Sequence, residues 1–190
     1  MGEFPSGQRG QTVNLLLIAS VVRIHLPPPS PARRAGLNFN FKSGRIMSDI
    51  ALKRFVRDDI GVITPYYPGL SSEDFDEMAS GERNGRFFRF FILLCGREPV
   101  GTVSLYQHAG YIISAGPEIF PPFRRRGYAF EAMKLAYDFA KENGFRLAQA
   151  QIRTDNEASI RLHEKLGFLR SWEDVTNRHG HKVYIYSKIL

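Results

Sequence analysis

Between residues 111 and 143 the hydrophobic pattern changes its period, and that change limits the fold more than any other feature. YIISAGPEIF (111–120) alternates as a strand does, until Pro121 and Pro122 stop it. Three arginines and a glycine follow. From Gly127 to Asn143 the apolar positions Ala129, Ala132, Met133, Ala136 and Ala140 mark one face of a helix, and Asn143-Gly144 supplies its stop. FRLAQAQIR (145–153) alternates again. Asp155-Asn156 opens a second helix whose inner stripe is Asn156, Ile160, His163 and Leu166 or Gly167. FLRSWEDV (168–175) and KVYIYSKI (182–189) read as strands joined around Asn177-Arg178-His179-Gly180. Strands separated by helices in this way need a sheet covered by helices, an α/β or α+β architecture.

Upstream, IALKRFV (50–56) alternates, and Ser71-Ser72-Glu73-Asp74 suits the start of a short capped helix. FFRFFILLC (87–95) and VGTVSLY (100–106) form a hairpin through Gly96-Arg97-Glu98-Pro99. Gly116-Pro117 predicts a bulge or bend in the strand that follows. Residues 1–46 read differently from 47–190. They combine the apolar run VNLLLIASVV, then LPPPSP, with six cations against one anion, a local charge of +5. The net charge of the chain is +7, so the folded part is nearly neutral and a nucleic-acid partner is not expected. The reading favoured for 1–46 is a start assigned too far upstream, with Met47 opening the domain; a targeting peptide and a functional arm compete with it. One cysteine, Cys95, excludes an internal disulfide, and no apolar run is long enough to span a bilayer, so a cytoplasmic protein is expected.

The segment 117–133 is where chemistry is expected. A helix start with unpaired N–H groups, a small turn residue at Gly127 and flanking cations make an anion receptor, with a solvated basic turn as the bland alternative. R-R-R-G-Y-A (124–129) resembles the acetyl-CoA signature of the GNAT acetyltransferases, and NEASIRLHEKLGF (156–168) resembles their second signature. The wording of the two is similar to the ribosomal-protein N-acetyltransferase and phosphinothricin acetyltransferase branches.

This resemblance implies a mixed central sheet of about six to seven strands flanked by helices. It implies acetyl-CoA as co-substrate and no metal. The pantetheine arm would lie along backbone near Ile119 and Phe120, and the pyrophosphate would meet Arg124, Arg125, Arg126, Gly127, Tyr128 and Ala129. Asn156 is carried over as a cofactor contact, with a plain helix N-cap as its equal alternative. His163 stands where many relatives place a tyrosine that protonates the departing thiolate, and the alternative for it is a packed core histidine. The acceptor would be a primary amine, on a protein N-terminus or a small molecule, and a second copy of the chain is a candidate partner. In some relatives a glutamate stands where this chain has Gln151, which cannot take a proton. Glu118 is nearby but reads first as a surface residue. An acyl-CoA sensor without turnover is therefore the competing function. His179 and His181 read as a hairpin turn rather than a metal site, and Trp172 as core or wall material.

Overall fold

The computed structural model describes residues 49–190, so the expectations for residues 1–46 and for Met47 lie outside the described residues. Eight strands and four helices follow in order: β1 (Ile50–Arg54), α1 (Ile60–Ile63), α2 (Ser72–Ser80), β2 (Glu82–Arg83), β3 (Arg86–Cys95), β4 (Glu98–Gln107), β5 (Ile112–Ile119), α3 (Tyr128–Glu142), β6 (Leu147–Arg153), α4 (Glu157–Lys165), β7 (Leu169–Thr176) and β8 (Lys182–Ile189). The sheet runs β1-β3-β4-β5-β6-β8-β7, with the two-residue β2 beside β3. The expected mixed sheet flanked by helices is present, and the short β2 is what the sequence pattern could not show. Among the described residues no helix is long and apolar enough to cross a membrane.

Two apolar layers hold the sheet. α3 buries Ala132, Met133, Ala136, Tyr137 and Ala140 against Val103, Leu105, Ile113 and Ala115 of β4 and β5. Fully burying a side chain the size of Met133 contributes about 1.5–3 kcal/mol. On the other face, α1 and α2 cover Phe88, Phe90 and Ile92 through Ile63, Phe75 and Met78. Ser71 caps α2, accepting from the Asp74 amide at 3.2 Å.

Two expectations are corrected. β5 is not bent at Gly116-Pro117, since its ladder with β4 runs unbroken from Gly101↔Ile119 to Gln107↔Ile113. The bonded positions alternate along it: Phe120 donates to Val100 and His108 donates to Ile112, so Pro117 falls in a pair that exchanges no hydrogen bond. The irregularity lies instead between Leu93 and Leu94, where β3 meets Val100 of β4. Trp172 is neither core nor wall. It is fully exposed, on a stretch of β7 between Arg170 and Asp174 that slips its register against β8.

Candidate active site

Among the described residues β5 and β6 are the only parallel neighbours, and they pair at just Ile112↔Leu147 and Ile113↔Ala148. Beyond those positions the strands part, leaving a gap between β5 and β6. A side chain occupies the next rung. The next rung would carry the Ala115 amide to the Gln149 carbonyl, but the Ser114 hydroxyl donates to that carbonyl instead. Ser114 in turn accepts from His108 Nε2, because its own proton is already placed on Gln149. His108 is buried, and desolvation, helped by Arg86, lowers its pKa to about 4, so it is a neutral donor at physiological pH.

Strand alternation decides which backbone groups face the gap. The amides of Ala115 and Ile119 point away from β4 into it, and Pro117 between them has no N–H. Phe120 does not join them: its amide donates to Val100 at 3.0 Å and its carbonyl accepts from Phe123 at 2.9 Å. Its ring is stacked on Tyr66 at 3.6 Å between centroids. Of the two residues expected to offer backbone to a pantetheine arm, only Ile119 has an amide to give.

At the open end of the gap the chain makes a 3-10 turn, Pro121–Phe123, and then the arginine turn. Arg125 and Gly127 take positive φ values of 65° and 87°, which brings the chain round into α3 without a side-chain cap. Among the described residues no carbonyl accepts from the amides of Arg125, Arg126, Gly127, Tyr128 or Ala129. Arg124 donates through Nε to the Ile119 carbonyl at 2.9 Å, which ties the turn to the end of β5. Arg126 lies 5.8 Å from the Phe123 ring centre, and none of the three arginines pairs with a described carboxylate. Tyr128 turns its hydroxyl toward Cys95. A positive, exposed row of unpaired amides at the start of a 15-residue helix fits a pyrophosphate.

Asn156 caps α4: its Oδ1 accepts from the Ser159 amide at 3.1 Å. The capping alternative is what the structure contains. His163 is held through one ring nitrogen. Its Nδ1 donates to the Ser159 carbonyl at 2.9 Å, and its Nε2 is buried with no partner among the described residues. Burial lowers its pKa, opposed by that backbone bond. The neutral ring therefore carries its proton on Nδ1 and presents a bare lone pair at Nε2. It can accept there, and it has nothing to donate to a thiolate. The ring stands 5.0 Å from Phe168, which also touches Tyr137 at 5.4 Å.

The face of the sheet beneath α1 and α2 carries a second polar group, centred on Glu118. Glu118 is exposed, and its Oε2 accepts from the Tyr67 hydroxyl at 2.9 Å. Tyr67 receives a bond from Thr102 at 2.6 Å, and burial raises its pKa far above that of an ordinary phenol. Tyr66 and Tyr67 belong to the chain between α1 and α2, so only the tertiary structure brings them over β5. Gln151 lies on β6 opposite Ile185. Among the described residues no three His, Cys, Asp or Glu side chains gather as a metal site would need.

A family profile described as "Acetyltransferase (GNAT) domain" matches residues 23–169. Among the solved structures that share the fold are three acetyltransferases. An acetyltransferase of Salmonella typhimurium that modifies the N-terminal serine of a 50S ribosomal subunit protein aligns at 14% identity and TM-score 0.62, over 75% of this chain and 96% of that one. A spermidine N-acetyltransferase of Vibrio cholerae, solved with CoA and spermine, aligns at 17% identity and TM-score 0.62, over 75% and 96%. A GCN5-related N-acetyltransferase of Kribbella flavida aligns at 18% and 0.60, over 75% and 98%. No curated protein matches the sequence.

Proposed function

The chain belongs to the GNAT acetyltransferase family and is an acetyl-CoA-dependent N-acetyltransferase, and from that premise we propose that it acetylates a primary amine received on the α1–α2 face of the sheet, beside Glu118. The observation that carries this reading is the junction of the β5–β6 gap with the arginine turn, continuous through the Arg124–Ile119 bond. Bound acetyl-CoA supplies an acyl group activated as a thioester. Arg125, Arg126 and the amides of Gly127, Tyr128 and Ala129 hold the phosphates, and the Ile119 amide orients the arm in the gap.

Glu118 is the carboxylate on the acceptor side of β5. Tyr67 holds one of its oxygens and leaves the other for an incoming ammonium, whose proton it takes before attack. His163 lies at the inner end as a hydrogen-bond acceptor. Both acceptor classes, a protein N-terminus and a small polyamine, present such a group, and the ribosomal and spermidine enzymes of the same fold act on one each. The exposed Leu169, Trp172 and Val175 on β7 support a second copy of the chain as a further partner. A chain with one unpaired cysteine suits the cytoplasm.

The test is release of free CoA thiol from acetyl-CoA with a panel containing peptides with free N-termini, spermidine and simple alkylamines, with products identified by mass. Acetylation of at least one amine is expected, and Glu118→Gln should lower kcat by roughly 10²-fold while acetyl-CoA binding is kept. Tight CoA binding with no turnover on any amine would instead make the chain a sensor.

A further inference from the structure

Two hydrogen-bond donors stand unpaired where β5 and β6 part. One is the Ala115 amide, directed into the gap and deprived of the Gln149 carbonyl by Ser114. The other is the Tyr137 hydroxyl on α3. Tyr137 is 4% exposed, and its oxygen is fully enclosed with no partner among the described residues. It leans toward the Ala115 amide without closing a hydrogen bond. An enclosed hydroxyl left without a partner costs about 1–3 kcal/mol. A phenylalanine would fill the same space against Phe168 without that cost, so packing gives no account of the oxygen.

We propose that the Tyr137 hydroxyl and the Ala115 amide together receive the carbonyl oxygen of the transferred acyl group, which makes Tyr137 a catalytic residue. The inference rests on the gap being the acyl-CoA site. As the amine attacks, negative charge builds on that oxygen, and donors already aimed at it in a dry site stabilise the charge without reorganising. The backbone alone supplies a single donor at this depth, because Pro117, the next position facing the gap, has no N–H. The phenol supplies the second. Burial holds Tyr137 firmly protonated, so its proton stays on the hydroxyl throughout and no covalent step passes through it.

The experiment compares the parent with Tyr137→Phe. Acetyl-CoA labelled with carbon-13 at the acyl carbonyl is bound to each, and the carbonyl stretch is read by isotope-edited infrared spectroscopy. In the parent the band should move to lower frequency than in water, and in Tyr137→Phe most of that shift should vanish. With the amine that the parent acetylates fastest, kcat should fall roughly 10²-fold while the KM for acetyl-CoA stays within about twofold. The free variant should melt at a higher temperature than the parent, because an unpaired polar atom has left the interior. Ala115→Pro is the second variant. It removes the amide as Pro117 does naturally, without breaking a bond to β4, and should lose part of the same shift. Equal carbonyl bands in parent and Tyr137→Phe would overturn the role of Tyr137 while the acyl-CoA reading stands. Failure of the parent to bind acetyl-CoA would overturn that reading itself.

Discussion

The arginine turn and the floor of the gap both offer unpaired N–H groups, yet they are built in opposite ways. The turn is six consecutive residues, positively charged and exposed over its first four, and the amides of the last five are left over by local geometry. The floor is buried and uncharged, and it takes His108 from the turn after β4, Ser114 and Ala115 from β5, Tyr137 from α3 and Gln149 from β6. A diphosphate needs a site that water can leave and enter and a field that reaches outward. A thioester carbonyl needs fixed dipoles in a dry place. On the proposed reading, the difference would sort the two ends of one ligand.

Breaking the turn should have the largest effect. Gly127→Glu puts a carboxylate among the unpaired amides and forces a side chain onto a φ of 87°. The backbone strain costs about 1 kcal/mol of stability, which a folded domain of this size tolerates. Affinity for acetyl-CoA should fall by roughly 10³-fold, since charge-assisted contacts are lost and a like charge is added. Calorimetric titration of both proteins measures it. An unchanged dissociation constant would move the phosphates away from this turn.

That contrast also explains what the sequence could reveal. The turn was legible because Arg124 to Ala129 are contiguous, so one stretch of sequence carries the cations, the small residue and the helix start that an anion receptor would use. The helices and strands after residue 111 were legible because each has one buried face and a clear period. Tyr137 was not legible as anything but a member of the α3 stripe, because its oxygen is distinguished only by what fails to surround it. His163 was placed correctly on the inner face of α4, but its tautomer depends on the Ser159 carbonyl, a backbone atom that no side-chain motif encodes. Glu118 read first as a surface or bend residue; it is exposed, and the bend was expected because Pro117 suggested a bulge. The ladder stays straight only because Pro117 falls where β5 does not bond β4.

The floor should answer to acid where the turn does not. In the unfolded chain a histidine binds its proton near pH 6.5, whereas folded His108 does so only near pH 4. Between those values the unfolded state holds the extra proton, so stability falls as pH falls, by up to about 3 kcal/mol, and levels off below pH 4. His163 is shifted in the same direction and adds to the slope. Denaturant melts from pH 7 to pH 4 should show this loss, and His108→Gln, which keeps a donor for Ser114, should flatten it. An equal acid slope in that variant would take His108 out of the account.

His163→Phe sharpens the comparison from inside the floor. A general acid would cost roughly 10²-fold or more when removed, but a ring whose Nε2 is bare at neutral pH gives up only an acceptor. Turnover should therefore fall less than about tenfold, with the acidic limb of the kcat profile unmoved. A hundredfold loss together with a displaced limb would restore the proton-donor role.

Ser114→Ala should have the smallest effect and the most local one. Removing the hydroxyl frees the Gln149 carbonyl, and the nearest donor in the parallel ladder is the Ala115 amide. One more rung can then close, which shortens the gap by about 3.3 Å. The new bond partly offsets the His108 Nε2 proton left without an acceptor, a loss of about 1–3 kcal/mol. Acetyl-CoA affinity should drop only about threefold, because the phosphate contacts, far along the gap, are untouched. A propionyl thioester, which reaches deeper, should suffer more than an acetyl one. The decisive measurement is hydrogen exchange at the Ala115 amide, which lies outside the β5–β6 ladder in the parent and should slow in the variant. If exchange at Ala115 is the same in both proteins, the hydroxyl of Ser114 is not what holds the strands apart.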